Sequence, residues 1–191
     1  MKIAPLFALA ACLVSFATAS PTVLPADDAS RILNKMRQVD LLNQILPVLM
    51  TTEQLGKLLP AVEKARSAAI ELEKKELERM KKFETKLDPA IKDAKEKGQV
   101  PSSELQDEIK AILKEFQQNR TIMVLEQNEA VLKAVEETLD AGQIKAATNS
   151  LSVPKGDTSK PSDRERLRRW VRAVLMDPLS YDLLVDLSKK K

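Results

Sequence analysis

The 191-residue sequence has no histidine, a single cysteine at position 12, four glycines and only 3% aromatic residues. Without His or a second Cys it lacks the usual protein ligands of zinc, copper and haem. The same absences remove the commonest general base and the commonest thiolate nucleophile. Neither GxGxxG nor GxxxxGKS/T occurs, so no glycine-rich loop is available to cradle a phosphate. No GxSxG supports serine chemistry, and the scattered carboxylates form no calcium loop. These absences predict a non-enzymatic protein with no catalytic residue, no cofactor and no metal. What is present, 43% hydrophobic and 31% charged residues rich in Ala, Leu, Lys and Glu, is the composition of long helices.

The first residues read as an export signal. Met1 and Lys2 give a positive start, Ile3 to Phe16 is apolar, and Ala17-Thr18-Ala19 offers small residues where a signal peptidase cuts. Cleavage after Ala19 would leave a mature chain beginning at Ser20 and lower the formal net charge from +3 to +2 through loss of Lys2. The expected location is secreted or periplasmic. The less favoured alternative is a lipoprotein: Leu9-Ala10-Ala11-Cys12 has the form of a lipobox, but the apolar stretch before it is short. On the favoured reading the mature chain is cysteine-free and folds without a disulfide.

The mature sequence predicts an all-α fold. Asp28 can cap a first helix whose apolar positions Ile32, Leu33, Met36, Val39, Leu42, Ile45 and Leu46 describe one stripe. A second helix is expected from Thr52 to about Lys97, with alternating charges beyond Glu71, a kink or restart at Pro60 and a kink near Asp88 from Pro89. Gly98-Gln99-Val100-Pro101 is a strong turn signal, after which Ser102 or Ser103 caps a helix running to about Leu139. Two helices of this length joined by so short a turn must lie antiparallel, as a long hairpin. A short helix over 140–148 completes a hairpin domain spanning 20–150, followed by a linker over 151–162 and a basic helical tail over 163–191. A lone hairpin has little inner face for its length, so self-association, as a homodimer, is expected.

Two local patterns match each other. In Met50-Thr51-Thr52-Glu53-Gln54-Leu55, Thr51 is the N-cap, Gln54 the N3 residue of a capping box, and Met50 with Leu55 a hydrophobic staple. The same grammar recurs in Leu139-Asp140-Ala141-Gly142-Gln143-Ile144, with Asp140 as cap and Gln143 closing the box. Met50-Thr51-x-x-Gln54 and Leu139-Asp140-x-x-Gln143 resemble the twin Leu-Thr-x-x-Gln motifs of the Spy/CpxP periplasmic proteins. Met50 stands for Leu in the first and Asp140 for Thr in the second, and both replacements keep the capping physics. The resemblance covers residues 30 to 150 and implies a helical hairpin that dimerises and binds unfolded or envelope proteins without ATP. The metal-binding branch of that family uses His-rich segments, which this chain lacks.

Charge is unevenly placed. The stretch from Ser102 to Asp140 holds nine acidic and four basic residues, whereas the sequence from Lys155 onward holds ten basic and six acidic. Such separation suits head-to-tail docking or an anionic partner. Within the tail, Arg164, Arg166, Arg168, Arg169 and Arg172 surround Leu167, Val171, Val174 and Leu175, with Trp170 on the flank of that apolar face. The favoured reading is a helix packed on the body through its apolar residues. The sharper one is weak contact with an anionic membrane surface or polymer. Nucleic acid is not expected, since stacking residues are scarce. A structural or regulatory module that binds one envelope partner, such as a sensor, through this basic tail is the alternative function.

Overall fold

The computed structural model describes residues 26–151 and 161–189. The export signal assigned to 1–19 and most of the linker assigned to 151–162 lie outside the described residues. The chain is all-α. Helix α1 (Ala26–Ile45) runs into a 3-10 turn (Leu46–Val48), followed by α2 (Thr52–Lys97), α3 (Ser103–Thr138) and α4 (Ala141–Ser150). After the linker come α5 (Asp163–Trp170), a π-helical stretch (Val171–Leu175) and α6 (Ser180–Ser188). No helix among the described residues is long and apolar enough to cross a membrane.

Helices α2 and α3 form the antiparallel hairpin. With 46 and 36 residues, they extend about 69 and 54 Å at 1.5 Å per residue. Gly98 ends α2 in the left-handed region at φ 65°, where a Cβ would be strained, and its N–H bonds to the Asp93 carbonyl. Ser102, not Ser103, caps α3: its hydroxyl accepts from the Leu105 N–H at 3.2 Å. Neither proline ends α2, which runs unbroken through Pro60 and Pro89. Both prolines are exposed. The carbonyls of Gly56 and Thr85, four residues upstream of each, lose a helical partner on the side of the helix that water can reach.

The core lies at one end of this hairpin. Leu55, Leu58 and Val62 of α2 meet Val131, Leu132 and Val135 of α3, and the C-terminal elements fill the remaining space with Trp170, Val171, Val174, Leu175 and Leu184. Full burial of each such side chain stabilises by about 1.5–3 kcal/mol before the cost of ordering it. Trp170 is fully buried rather than flanking the apolar face. The π-helical turn accounts for the density of this packing. The Met176 N–H reaches back to the Val171 carbonyl at 3.0 Å, five residues away, and the widened turn keeps Val171, Val174 and Leu175 all inside. Beyond the core the hairpin is a bare two-helix arm, with no buried residue between positions 77 and 115. At its root Glu76, 3% exposed, receives the Arg120 guanidinium through both Nε and Nη2, an ion pair that crosses from α3 to α2.

Of the apolar stripe expected in α1, Ile45 turns to the core together with Leu41, which that stripe left out, whereas Ile32, Leu33, Met36 and Val39 face solvent. Arg37 fixes the rotation of the helix. Its Nε donates to Asp177 Oδ2 at 2.9 Å and its Nη2 to the Ala173 carbonyl at 3.1 Å, tying α1 to the C-terminal elements.

Candidate functional site

The two capping boxes, 89 residues apart in sequence, meet in space. Each forms as its residue types require. Thr51 Oγ1 accepts from the Gln54 N–H at 3.2 Å while Gln54 Oε1 accepts from the Thr51 N–H at 3.0 Å. Asp140 Oδ1 accepts from the Gln143 N–H at 2.9 Å while Gln143 Oε1 accepts from the Asp140 N–H at 3.1 Å. The staple residues Met50, Leu55, Leu139 and Ile144 all belong to, or pack on, the central core. They set the angle at which α2 and α4 enter it.

The glutamine amides then pair with each other. Gln54 Nε2 donates to Gln143 Oε1 at 2.8 Å, and Gln143 Nε2 donates to Gln54 Oε1 at 2.9 Å. The second hydrogen of each amide goes to a backbone carbonyl two residues before the other box's cap. Gln54 reaches Thr138 O at 3.0 Å and Gln143 reaches Leu49 O at 3.2 Å. Every donor and acceptor of both amides is thereby used, and the six bonds follow a local two-fold symmetry. Glutamate would serve either box alone, because a carboxylate accepts from the cap N–H. Only glutamine can also donate across to the other box. The paired arrangement is therefore the physical reason for Gln at both positions. Leu49 contributes its carbonyl from the left-handed region, at φ 55°, with its side chain exposed. The strain of that conformation is offset by its N–H bond to Leu46 O at 3.1 Å and the bond from Gln143. Beside the first box lies a cavity of about 450 Å³ bordered by Leu46, Leu49, Met50, Leu55 and Leu187.

The basic stretch lies against the acidic helix. Arg164 binds Glu136 through Nε at 2.8 Å and Glu129 through Nη2, and Arg168 Nη2 binds Glu129 at 3.0 Å. These bonds, from Arg164 first and then Arg168, hold the Glu129 carboxyl below its ordinary range, and the two glutamates raise the Arg164 guanidinium. Arg166 donates to Thr148 O at 3.2 Å and Asn149 Oδ1 at 2.6 Å. Arg169 and Arg172 lie beside them, lining a shallow cavity with Asn128, Glu129 and Arg168. The charge separation in the sequence thus joins α5 to α3 within one chain.

Several features of the site escaped the reading of the sequence. A third capping box starts α5, where Ser162 Oγ accepts from the Glu165 N–H at 3.3 Å and Glu165 Oε2 accepts from the Ser162 N–H at 2.7 Å. Its S-x-x-E pattern was visible in Ser162-Asp163-Arg164-Glu165. The Glu76–Arg120 pair carries no local signal, because its partners lie 44 positions apart. Of the aromatic and methionine positions on the hairpin, Phe116 is buried, Phe83 and Met123 are half-buried, and Met80 is exposed. No family model, characterised protein or solved structure matches the chain.

Proposed function

We propose that the chain is an exported, non-enzymatic chaperone of the Spy/CpxP kind that acts as a homodimer. It would hold unfolded or envelope proteins weakly and release them without ATP. The observation that carries this reading is the bare hairpin arm and its root. There Leu77, Met80, Ile91, Leu113, Ile122 and Leu125 are between 47% and 64% exposed, scattered among alternating charges. Isolated apolar side chains in a charged field give many shallow contacts. Charge raises the encounter rate, while small apolar contacts without aromatic anchors keep dissociation fast. The paired boxes support the family reading, since they give both halves of the twin motif one shared structural task. The alternative, a partner-binding module acting through the basic tail, is less favoured because Arg164, Arg166 and Arg168 already have partners within the chain.

The test is aggregation of a chemically unfolded client followed by light scattering, with no nucleotide present. Substantial suppression at one dimer per client is expected, and it should weaken as salt screens the encounter. Absence of suppression at that ratio overturns the proposal.

A further inference from the structure

The outward face of α1 has a periodicity that packing within one chain leaves unused. Ala29, Ile32, Met36, Val39 and Asn43, and then Leu46 at the start of the 3-10 turn, follow one another in steps of three, four, three, four and three, the a/d spacing of a coiled coil. Ile32, Met36, Val39 and Leu46 are 49%, 64%, 59% and 51% exposed. The face that docks on the body, with Leu41 and Ile45 at 0% and 2% exposure, lies on the opposite side of the helix. Arg37 holds it there through Asp177 and Ala173. The stripe is therefore kept facing outward.

We infer that this stripe is the seam of the homodimer, occupied by α1 of a second copy running parallel to the first. The inference rests on the reading that the chain self-associates, and it names the surface. Two features select a second copy and its direction. With Ala29, Met36 and Asn43 at a positions, Lys35 falls at g and Asp40 at e. A parallel pair sets each Lys35 beside the partner's Asp40, giving two interchain ion pairs. Lys35 makes no ion pair among the described residues, whereas Asp40 already accepts from Arg37 at 2.6 Å and has lone pairs to spare. In an antiparallel pair the same charges would lie beside Leu42 and Leu33. The second feature is Asn43, exposed at an a position. In a parallel pair the two Asn43 amides face each other and can hydrogen-bond, whereas in an antiparallel pair each would face an apolar layer. The seam spans about two and a half heptads, so pairing should be reversible, with a Kd on the order of micromolar.

Sedimentation of the purified protein over a concentration series tests this. A monomer–dimer equilibrium is expected, and Val39→Glu should raise its Kd by at least about tenfold with helicity unchanged, because Val39 touches little of its own chain. Lys35→Asp and Asp40→Lys should each weaken pairing by like-charge contact. An equimolar mixture of the two should pair more tightly than either alone, because the heterodimer restores opposite charges at both sites. Asn43→Cys in a Cys12→Ser background should cross-link to itself under mild oxidation. A monomer at about 100 µM overturns both the seam and self-association. A dimer unmoved by Val39→Glu leaves self-association standing and overturns the seam. Failure of the mixture to recover, together with no cross-link at position 43, overturns the parallel direction.

Discussion

Gln54 and Gln143 each present two donors and two acceptors, and all eight find partners within one shared network. The local half of that network was legible in the sequence, because a capping box is a four-residue pattern with a definite spacing. The pairing of the boxes was not, because nothing in either pattern states that a cap 89 residues away lies opposite. Gln54→Ala is expected to cost about 1–2 kcal/mol, the loss of the N3 half of its capping box and of the bridge, and Gln143→Ala a similar amount. In the double variant the two losses should fall short of their sum by about 1 kcal/mol, since each single change already breaks the bridge. Urea unfolding followed by circular dichroism measures the three values. Simple additivity would mean that the amides act as separate caps. Gln54→Glu separates the roles further, because its carboxylate still accepts from the Thr51 N–H but can no longer donate to Thr138 O or Gln143.

At the scale of elements, the hairpin was readable because its signals are local: helical periodicity, Gly98 in the turn and a serine cap after it. The orientation of α1 was not. Its apolar residues cover both a body face and an exposed outward face, and periodicity alone does not tell the two apart. Trp170 was misplaced although its spacing was regular. Three residues after Leu167 and four before Val174, it shares their helical face, and Leu167, Trp170, Val171, Val174 and Leu175 are buried together while Arg169 and Arg172 stay exposed. Where the arm leaves the core, the Glu76–Arg120 pair sets the register of α2 against α3. Glu76 is buried while the Arg120 side chain is 59% exposed, so removing the arginine strands a carboxylate that has little access to water. Arg120→Leu should therefore lower the melting temperature by several degrees. The double variant Glu76→Leu/Arg120→Leu should recover much of that loss by giving the site an apolar pair. Thermal unfolding of the two variants decides the matter. A double variant less stable than the single one would show that the charge pair itself stabilises the hairpin.

Over the whole molecule, the near-neutral net charge hides an acidic α3 against which the basic α5 lies, and the two lock together through Glu129, Glu136, Arg164 and Arg168. The composition disclosed the separation of charge but could not say whether it is used within one chain or between molecules. Glu129 has its carboxyl pKa lowered in the folded protein, so the folded state binds fewer protons than the unfolded one across the acid range. Its contribution is fully present above the ordinary Glu value of about 4.3 and is lost as pH falls through the depressed folded value. The single Trp170, fully buried where α5 joins the core, reports the outcome. Its emission should stay constant from neutral pH down to about 5 and shift to the red below about 4, earlier at high salt, where screening weakens the same contacts. Glu129→Gln should loosen the α5 contact at neutral pH and reduce the acid sensitivity of the emission. It should not abolish that sensitivity, because Glu104 and Glu165 are also depressed, by hydrogen bonds at the starts of α3 and α5. An emission profile that Glu129→Gln leaves unchanged in both pH and salt would show that apolar burial alone holds the C-terminal elements on the hairpin.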